Sequence, residues 1–350
     1  MPVFQWEPLT RASEHIMGAA GMPPEAAAKL ATWLVRANLS GHPSHGVIRI
    51  PDYVDRIRIG DYLPGEQPVV ASETATTVLL DARFGFGHLA AEELTRRLAA
   101  KAKVSRVAIG GIYHCNHIGR LGEWAELGAE LGVIYFMIAG GPGTMRAAPF
   151  GGAEGRLSTN PLAFGAPAEG AEPLIVDFAT TATAEGKVRV AMAKGAELPP
   201  GQILDADGKP STDPEDLYDG GVLLTMAGHK GYGLSLMAEV LATNLTGALN
   251  PELNVRIGTF AMALDTNAFE RGGGYDDATR KTFDRVRNTR PASGVGEVLI
   301  PGDTERQSRA QLGESGIDVA DATWTAILDS AEGLGIDRDE LDAMACDECS

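Results

Sequence analysis

Apolar residues recur at helical spacing close to the start of the chain, within residues 22–40. Four of them fall at positions i, i+3, i+4 and i+7 and share one face: Leu30, Trp33, Leu34 and Ala37. Pro24 suits the first turn, where its missing N–H group would have no helical partner in any case. The pattern therefore predicts a helix here, and a second one follows over residues 47–59.

The middle of the chain alternates between short apolar segments typical of strands and longer amphipathic ones. Strands are predicted over residues 74–82, 107–113, 133–140, 161–167, 173–180 and 258–269. Helices are predicted over residues 88–104, 121–132, 231–249 and 303–345, and a long polar loop over residues 194–217. This alternation is typical of an α/β protein and favours a mixed sheet over a fully parallel one.

The change between these patterns divides the chain into four segments. We expect an N-terminal helical segment, a mixed-sheet domain, a C-terminal helical segment and a loose tail, over residues 1–72, 73–270, 271–340 and 341–350. We also expect the C-terminal helices to pack back on the N-terminal ones.

Composition and charge exclude several classes of function. The formal net charge of −17 at pH 7 argues against binding to a nucleic-acid backbone, although a small site can still be locally positive. No apolar stretch reaches the roughly 18 residues that span a bilayer. The N-terminus lacks the pattern of a secretory signal. With 3 cysteines, the chain of 350 residues has no disulfide framework, so we expect a cytoplasmic protein.

The sequence SHGVIR lies where the first predicted helix stops and the second begins. If the second helix starts near Gly46, His45 lies at its N-terminal end and Arg49 faces the same cavity one turn later. Arginine's planar fork suits a carboxylate, and histidine can give or take a proton at neutral pH. From spacing alone, a helix-capping Ser44 beside a surface histidine and arginine is the favoured interpretation.

The segment HCNHIGRLGEWAE raises the question of a metal site. His114 and His117, with Cys115 or His42, are possible ligands. Zinc requires four ligands in tight geometry, and no second cluster follows at ligand spacing. The C-x-x-C motif near the C-terminus has no further ligand pair either. We therefore expect no metal.

The same segment suits a cofactor better than a metal. Gly119 and Gly122 flank Arg120, so the backbone there can approach a phosphate or a nicotinamide closely. We interpret His117 as part of that site and His114 as an ordinary loop histidine.

Two further segments carry chemistry suited to phosphate or ribose. Asp177 ends an apolar strand and precedes Thr180 and Thr181, whose hydroxyl groups and neighbouring amides are suitable donors. A plain turn at the sheet end is the alternative. The sequence GHKGYG precedes a helix and adds His229 and Lys230 to exposed backbone N–H groups.

Neither standard nucleotide-binding fingerprint is present. The Walker spacing is absent, and GFGHLA, residues 85–90, is the nearest approach to G-x-G-x-x-G. Any dinucleotide is therefore expected to bind without a Rossmann motif.

Taken together, these blocks resemble the malate/L-lactate dehydrogenase type 2 family of NAD(P)-dependent 2-hydroxyacid oxidoreductases. The matching blocks, in the family's order, are SHGVIRIPDYVDRI, NHIGRLGEWAE, APFGGAEGRLSTNPLAFGAP, DFATTATAEGKV, GHKGYGLSLMAEVLA and LIPGDTE. They cover most of residues 10–335. The blocks NHIGRLGEWAE and AGHKGYG look closest to the hydroxycarboxylate dehydrogenase B branch.

The resemblance implies a three-layer α/β fold with a mixed sheet and a flanking helical region. It implies that residues 73–270 bind NAD or NADP in a non-Rossmann manner. It also implies a homodimer with its sites near the subunit interface.

Roles come from the same resemblance, position by position. In similar enzymes, the residues that match Ser44, His45 and Asp177 form a proton relay. The arginine that matches Arg49 holds the substrate carboxylate, and in one branch the histidine that matches His117 is the acid/base. This chain has both histidines, so the sequence leaves open which one moves the proton.

The resemblance also implies two sets of binding residues. The expected cofactor contacts are His45, Gly119, Arg120, Leu121, Asp177, Phe178, Ala179, Thr180, Thr181, His229, Lys230, Asn267, Gly302, Asp303, Thr304 and Glu305. The expected substrate contacts are Arg49, His117, Arg146, Thr159 and Asn160. Arg146 is included because the segment before PFGG looks longer than is usual in the family.

These observations predict reversible hydride transfer between NAD(P)H and C2 of a 2-oxo or 2-hydroxy acid. Arg49 would clamp the carboxylate, and a protonated His45 or His117 would donate to the carbonyl oxygen. Asp177 would orient and stabilise that imidazolium. A Δ1-piperideine/pyrroline-2-carboxylate reductase with the same residues is the alternative within enzymes. A cofactor-binding protein without turnover and a metal-dependent hydrolase are the alternatives from other classes.

Overall fold

The computed structural model describes residues 2–141, 145–193, 195–248, 257–269 and 274–346. Its α-helices are α1 (Trp6–Ala19), α2 (Pro24–Leu39), α3 (Ile50–Arg58), α4 (Gly87–Ser105), α5 (Leu121–Glu130), α6 (Glu185–Ala193), α7 (His229–Ala238), α8 (Tyr275–Arg287), α9 (Asp303–Ser315), α10 (Asp321–Glu332) and α11 (Arg338–Cys346). Its strands are β1 (Val3–Phe4), β2 (Val69–Glu73), β3 (Thr77–Asp81), β4 (Val107–Cys115), β5 (Val133–Gly140), β6 (Leu162–Ala166), β7 (Leu174–Phe178), β8 (Ile203–Leu204), β9 (Pro210–Ser211), β10 (Val222–Leu223), β11 (Ile257–Asp265) and β12 (Ile317–Asp318).

The main sheet has seven strands in the order β2-β3-β4-β11-β5-β6-β7. Strands β3 and β4 run parallel, whereas the other neighbouring pairs are antiparallel. The predicted α/β class and the mixed sheet are therefore confirmed. Because β4 is a central strand, the chain segment that follows it leaves the sheet near the middle, at the C-terminal end of β4.

Helices cover both faces of this sheet and complete three layers. On one face, α4 and α5 bury Leu94 and Trp124 against strand residues such as Ile112. On the other face, α7 and a π-helical continuation, Glu239–Asn244, pack on β5 and β6. Close packing depends on Gly165, since a Cβ there would lie 2.1 Å from the carbonyl oxygen of Ala125.

A second core joins the two ends of the chain. Buried side chains of α1, α2, α3, α10 and α11 form it, including Leu9, Leu30, Leu34, Tyr53, Ile327 and Leu341. The predicted helix over residues 22–40 is α2, and Trp33 is only half-buried on its otherwise buried stripe. The predicted helix over residues 47–59 begins as a 3₁₀ turn, Val47–Arg49, and continues as α3.

The structure corrects several sequence expectations near the segment ends. Residues 341–346 belong to α11, and Leu341 and Ala345 are fully buried, so these residues are no loose tail. Residues 347–350 lie outside the described part of the chain. Strand β2 crosses the boundary placed after residue 72, and the division into four segments stays a prediction.

The predicted polar loop over residues 194–217 contains structure of its own. Strand β8 pairs with β9 on one side and with β10 on the other in a small three-stranded sheet, and a 3₁₀ turn, Pro214–Leu217, follows β9. Strands of two residues are too short to show an alternating pattern, which is why the sequence did not reveal them. We call this sheet and the segments packed on it the small-sheet unit. Its buried residues include Ala147, Leu157, Val188, Leu198, Ile203, Leu217 and Leu223.

Other elements differ from prediction at their ends. Strand β4 extends to Cys115, so His114 and Cys115 lie in a strand rather than a loop. Strand β11 ends at Asp265 instead of continuing to residue 269. No helix in the described residues is both long enough and apolar enough to cross a membrane.

The buried position of Leu341 makes a testable prediction about α11. We expect Leu341→Ala to lower the free energy of unfolding by about 2–5 kcal/mol, because it leaves a cavity in the terminal core. Urea denaturation followed by circular dichroism measures the change. Glu340→Ala, at an exposed position of the same helix, is the control and should stay within about 0.5 kcal/mol. Equal stability of Leu341→Ala and the wild type would mean that α11 is not part of the folded core.

Candidate active site

Two consecutive 3₁₀ turns, Pro43–His45 and Val47–Arg49, carry the first group of predicted site residues. Asn38 of α2 holds them in place, because its Oδ1 accepts a hydrogen bond of 2.9 Å from the amide of Val47. The chain passes so close that a Cβ on Gly46 would lie 1.8 Å from the same oxygen. Only glycine fits there, and the turn is thereby fixed against α2.

His117 comes from the segment that leaves the centre of the sheet after β4. The preceding Asn116 anchors this segment, since its Nδ2 donates to the carbonyl oxygens of Phe84 at 2.7 Å and Gly85 at 3.0 Å. The rings of His45 and His117 stack at a centroid distance of 5.6 Å and an interplanar angle of 15°. The structure therefore brings together the two histidines that the sequence proposed as proton donors.

Each of the two imidazoles has its own hydrogen-bond partner at Nδ1. Ser44 Oγ lies 3.1 Å from Nδ1 of His45, and Tyr53 Oη lies 2.7 Å from Nδ1 of His117. The amide of His117 also donates to the hydroxyl of Tyr62 at 3.2 Å. Within the described residues, the Nε2 atoms of both rings have no hydrogen-bond partner. Each Nε2 is thus available to a substrate.

Sequence reasoning missed Tyr53 and Tyr62. Tyr53 is fully buried, and its ring stacks on that of Tyr62 at 5.7 Å. Tyr53 follows Arg49 by four residues, the spacing that places two side chains on the same face of a helix. That spacing was the signal that could have identified it.

Arg49 points its guanidinium into the same region. Its Nε donates to the carbonyl oxygen of Ser44 at 2.7 Å, which orients the plane of the group. Its terminal nitrogens make no hydrogen bond or ion pair with any residue that the structure describes. A half-buried fork with two free donors is suited to a carboxylate.

Burial and neighbouring charge keep both imidazoles neutral. Desolvation and the positive charge of Arg49 lower the pKa of His45 to about 3. The same two causes hold the pKa of His117 well below its usual value. Both rings are therefore expected to be neutral at pH 7 in the protein alone, and a protonated donor in the complex with substrate stays a prediction.

A third histidine, His88, lies behind this pair. Its ring stacks on Trp33 at 5.9 Å and meets the ring of His117 edge-on at 5.9 Å. Its Nδ1 is buried without a partner in the described structure, and burial lowers its pKa to about 3. A Cβ on Gly119 would lie 2.5 Å from its Nε2, so His88 and Gly119 pack in direct contact.

Arg120 follows Gly119 and is almost completely buried. Its Nη2 forms ion pairs with Glu123 at 3.4 Å and Glu126 at 3.2 Å. Its Nε and Nη1 are buried and have no hydrogen-bond partner among the described residues. Leu121 begins α5 directly afterwards. Unpaired buried guanidinium donors beside a glycine of positive φ are suited to an anionic group of a cofactor.

No hydrogen bond joins Asp177 to His45 or His117 in the described part of the chain. Its Oδ2 accepts a hydrogen bond of 2.7 Å from the amide of Gly122, and Asp177 and His45 each interact electrostatically with Arg120. Burial raises the pKa of Asp177, although Arg120 opposes that shift. The expected relay of Ser44, His45 and Asp177 is therefore absent from this conformation. Asp177 instead fixes the N-terminus of α5, beside Arg120.

The hydroxyl groups after Asp177 are already engaged. Thr180 Oγ1 donates to the carbonyl oxygen of Thr159 at 2.9 Å, and Thr181 Oγ1 donates to that of Thr183 at 2.8 Å. Both hydroxyl groups thus donate to backbone carbonyls in this structure, and their contact with the cofactor stays a prediction. Phe178 and Ala179 lie beside them at the end of β7 and are half-buried.

Asn160 and Thr159 precede β6 on the same side of the sheet. Asn160 Nδ2 donates to Ser235 Oγ at 3.0 Å and to Glu239 Oε1 at 2.8 Å, which ties it to α7. Its Oδ1 is buried without a partner in the described residues. Asn160 has an amide oxygen available to a ligand, whereas Thr159 contributes mainly its backbone carbonyl.

Two helix starts contribute the remaining predicted cofactor residues. His229 and Lys230 lie exposed in the first turn of α7. At the start of α9, Gly302 is buried, Thr304 is exposed, and Glu305 Oε1 lies 3.3 Å from Nε2 of His42. Asp303 is bound by Arg287, Arg306 and the amide of Ile300, so its carboxylate has a structural role.

Asn267 lies away from this site. It follows β11 and donates to Asp265, whose partner Arg106 precedes β4. His117 follows the other end of β4, and β4 is nine residues long. The two positions therefore lie at opposite ends of the strands. Asn267 therefore lies far from His117 within one chain, and its contact with the cofactor stays a prediction.

Arg146 belongs to the small-sheet unit, which lies beside the Ser44 turn. Its Nη1 is 3.6 Å from Glu185 Oε1, and its guanidinium lies 5.3 Å from the ring centre of Tyr218. Glu185 begins α6, whose next residue, Gly186, would place a Cβ 3.2 Å from Ser44 Cβ. Residues 142–144 of the long predicted segment lie outside the described part of the chain.

The metal alternative has no support in the geometry. His114 Nδ1 lies 2.9 Å from Asp81 Oδ1, and its ring stacks on Phe84 rather than on His117. Cys115 is buried within the sheet. Within the described residues, no group of three or more His, Cys, Asp and Glu side chains is arranged to hold a metal ion.

Comparisons with known proteins identify the family. The malate/L-lactate dehydrogenase family model matches residues 4–328. The chain belongs to this family. Hydroxycarboxylate dehydrogenase B of Escherichia coli O157:H7 is 33% identical over 335 residues, which is 93% of this chain and 92% of that protein.

Two further comparisons show how widely the family extends. The Δ1-pyrroline-2-carboxylate/Δ1-piperideine-2-carboxylate reductase of Pseudomonas syringae pv. tomato is 34% identical over 86% of this chain and 88% of that protein. The solved structure of a putative malate/lactate dehydrogenase from E. coli is similar with a TM-score of 0.92 and 30% identity, covering 98% of both chains. Enzymes of this family use NAD or NADP, and this chain is an NAD(P)-dependent hydroxyacid dehydrogenase.

The buried histidines predict how stability depends on pH. His88 has a pKa of about 3 in the folded state against about 6.5 in the unfolded chain, so the unfolded state binds its proton first. Its contribution to stability is complete above pH 6.5 and is lost as the pH falls from 6.5 towards 3.

We expect His88→Gln to reduce this acid dependence by about one proton, measured as the slope of the free energy of urea unfolding against pH. Leu94→Val, at a buried position of the same helix, is the control, because it lowers stability without removing a titrating group. An unchanged slope in His88→Gln would show that His88 is protonated equally in both states.

Proposed function

We propose that this enzyme catalyses reversible hydride transfer between NAD(P)H and C2 of a small 2-oxo or 2-hydroxy carboxylic acid. The observation that supports this best is the stacked pair of His45 and His117 beside the free fork of Arg49. Two proton-transfer groups and one carboxylate-binding group thus meet on one side of the site. This is the set that reduction of a carbonyl next to a carboxylate requires.

Arg49 binds the substrate carboxylate in this proposal. The contact of its Nε with the Ser44 carbonyl fixes the guanidinium before the substrate arrives, so little orientational freedom is lost on binding. Bidentate binding also aims the C2 atom of the acid at the neighbouring imidazoles. Asn160 Oδ1, buried and unpaired in the described structure, accepts a hydrogen bond from a substrate hydroxyl.

Substrate binding changes the charge around the histidines. Desolvation and Arg49 both disfavour their protonation, and an incoming carboxylate cancels the charge of Arg49. Cancelling this charge raises the pKa of the donor imidazole in the complex and so favours its protonation there. That proton is then given from Nε2 to the carbonyl oxygen as negative charge develops there. In the reverse direction, the same Nε2 accepts the proton of the 2-hydroxyl group.

The residues around Arg120 fit the anionic part of a nicotinamide cofactor. The unpaired Nε and Nη1 of Arg120 lie next to Gly119, with the start of α5 behind them. Lys230 and His229 at the start of α7 would hold further polar groups. When bound, the cofactor supplies or accepts the hydride. Assays with NADH and with NADPH measure which of the two cofactors the enzyme uses.

Reduction of a cyclic imino acid is the second candidate, favoured by the similarity to the Pseudomonas syringae reductase. The same arginine would hold the ring carboxylate, and the donor imidazole would protonate the imine nitrogen. Assays with pyruvate and with Δ1-piperideine-2-carboxylate, each with NADH and NADPH, separate the two reactions. Substantially faster turnover of the imine would favour the second candidate.

A homodimer is part of the proposal. Large apolar side chains are exposed on α7 and the π-helical segment after it, including Leu236 and Val240. Such a patch is typical of a surface that another protein covers. Sedimentation velocity measures the oligomeric state.

A cytoplasmic location is also part of the proposal, because the cysteine content is low.

The role of Arg49 predicts the effect of a conservative change. We expect Arg49→Lys to raise KM for 2-oxo acids about 10- to 100-fold, because an ammonium cannot reproduce two parallel hydrogen bonds. Initial rates with varied acid at saturating cofactor measure it. The control is Arg58→Lys, which changes an exposed arginine of the same helical region. An unchanged KM for every acid that is turned over would remove Arg49 from carboxylate binding.

The separate Nδ1 partners allow the donor histidine to be identified by mild changes. If His117 is the donor, Tyr53→Phe should lower kcat about tenfold while Ser44→Ala leaves it nearly unchanged. If His45 is the donor, the effects are reversed. His117→Ala and His45→Ala test the same question more severely, with a loss of about 10²-fold or more for the true donor. Equal small effects of all four changes would contradict both assignments.

A further inference from the structure

His88 carries a ring nitrogen that lacks a protein partner. The residue is 2% exposed, and its Nδ1 has no hydrogen-bond partner among the described residues. The rest of the ring is packed, since it stacks on Trp33 and meets Trp124 and Tyr53 edge-on. Because buried polar atoms are hydrogen-bonded in most proteins, an orphaned Nδ1 indicates that a small ligand completes it.

Arg120 carries the second orphaned group in the same region. Glu123 and Glu126 occupy its Nη2, whereas Nε and Nη1 have no hydrogen-bond partner in the described part of the chain. A Cβ on Gly122 would lie 2.5 Å from Nη1 and 2.9 Å from Asp177 Oδ2, so Nη1 is on the Asp177 side of the loop. Nη1 thus remains for the cofactor in the proposed function. Nε is the donor that is left for another ligand.

A small cavity lies between these two side chains. His88, Arg120 and Glu123 line it, and its volume is about 10 Å³. That volume is about the minimum that holds one water molecule, and it excludes any larger ligand. Trp33 and Trp124 form apolar sides of the cavity, and the indole N–H of Trp124 already donates to a backbone carbonyl. Three of the lining residues thus offer polar groups at which a water can be held.

The chemistry of these three groups fits a single water. Arg120 Nε can only donate, so the water oxygen accepts from it and both hydrogens remain for other partners. The Glu123 carboxylate can accept one hydrogen, since each of its oxygens has a second lone pair beyond its arginine partner. His88 Nδ1 accepts the other, which places the proton of the neutral imidazole on Nε2. Three hydrogen bonds are the usual number for a buried water.

We propose that the cavity binds one ordered water molecule through these three groups, and that His88 is a positioning residue for His117. The second part rests on the proposed function, in which His117 belongs to the proton-transfer pair. The water fixes the rotation of the His88 ring, which meets the ring of His117 edge-on at a centroid distance of 5.9 Å. His117 in turn stacks on His45, which also lines the cavity. The start of α5 is thereby connected to both imidazoles.

A high-resolution crystal structure of the protein tests the water directly. We expect one peak of water density within about 2.7–3.2 Å of Arg120 Nε, Glu123 and His88 Nδ1. His88→Asn should keep this water, because the asparagine amide places a polar atom near the position of Nδ1, whereas His88→Leu should lose it. A cavity without density, or a cofactor oxygen at Arg120 Nε in crystals grown with NADH, would overturn the site. The same water in His88→Leu would remove His88 from it.

Steady-state kinetics test the positioning role. We expect His88→Leu to lower kcat about tenfold for the 2-oxo acid that is turned over fastest, because a misplaced proton-transfer ring slows the reaction. KM for the acid should change little, since Arg49 keeps its contact with Ser44. His88→Asn should recover most of the lost kcat. The control is Leu94→Val, at a buried position of the same helix that does not line the cavity, and it should keep the wild-type kcat.

The two measurements separate the parts of the proposal. If the water is present and His88→Leu has the wild-type kcat, His88 has no positioning role. If His88→Asn and His88→Leu lower kcat equally, the hydrogen bond at Nδ1 is not what positions His117. Absence of turnover with every 2-oxo acid in the wild type would contradict the proposed function and the positioning role with it, whereas the crystal structure alone decides the water site. Thermal unfolding shows whether each variant is folded.

Discussion

Exclusion of water from two stacked imidazoles beside an arginine is the constraint on which the site depends. Desolvation is the first cause of the lowered pKa of both His45 and His117, and the charge of Arg49 is the second. The first cause comes from the fold. Asn38 holds the turns that carry His45, and Asn116 holds the segment that carries His117, both where little water reaches. In the proposed function, a carboxylate bound to Arg49 cancels the second cause. Substrate binding would then favour uptake of a proton by the donor imidazole.

A buried network of charges connects this site to the rest of the molecule. Glu126 of α5 binds Arg36 of α2, Arg309 of α9 and Arg120 at the cofactor side. Burying such a network costs desolvation energy, so it contributes little to net stability. Its effect is geometric, since three separate helices must be placed correctly for every charge to be paired. The helical ends of the chain and the sheet are aligned in this way around Arg120.

The sequence predicted the architecture well wherever an element was long and periodic. Strands β4 and β5 and helices α2, α4 and α5 were all anticipated, because their apolar patterns extend over several turns or a full strand. The two-residue strands of the small sheet were not, since they are too short to show a period. The end of α11 was misassigned because acidic residues surround its two buried side chains.

The types of residue in the site could be predicted from the sequence, whereas the contacts between their side chains could be predicted less well. Ser44, His45, Arg49 and His117 lie together as expected, because the first three are close in sequence and His117 follows a central strand, and their roles stay predictions. Tyr53, the partner of His117, and the redirected Asp177 depend on which side chains face each other across separate elements. Asn267 shows the same limit, because only the pairing of β11 with β4 shows that it lies at the far edge of the sheet.

The negative charges of the surface and the arginines of the site act on an approaching anion over different distances. At physiological ionic strength, charges on the surface are screened beyond about 8 Å, so an approaching acid feels the net charge of −17 only weakly. Inside the site, Arg49 and Arg120 lie in a medium of lower polarity, where each charge acts more strongly. An anionic substrate and an anionic cofactor are therefore compatible with an acidic protein. What matters is that Arg49 has no carboxylate partner among the described residues, and that the carboxylates beside Arg120 leave two of its nitrogens without a hydrogen bond there.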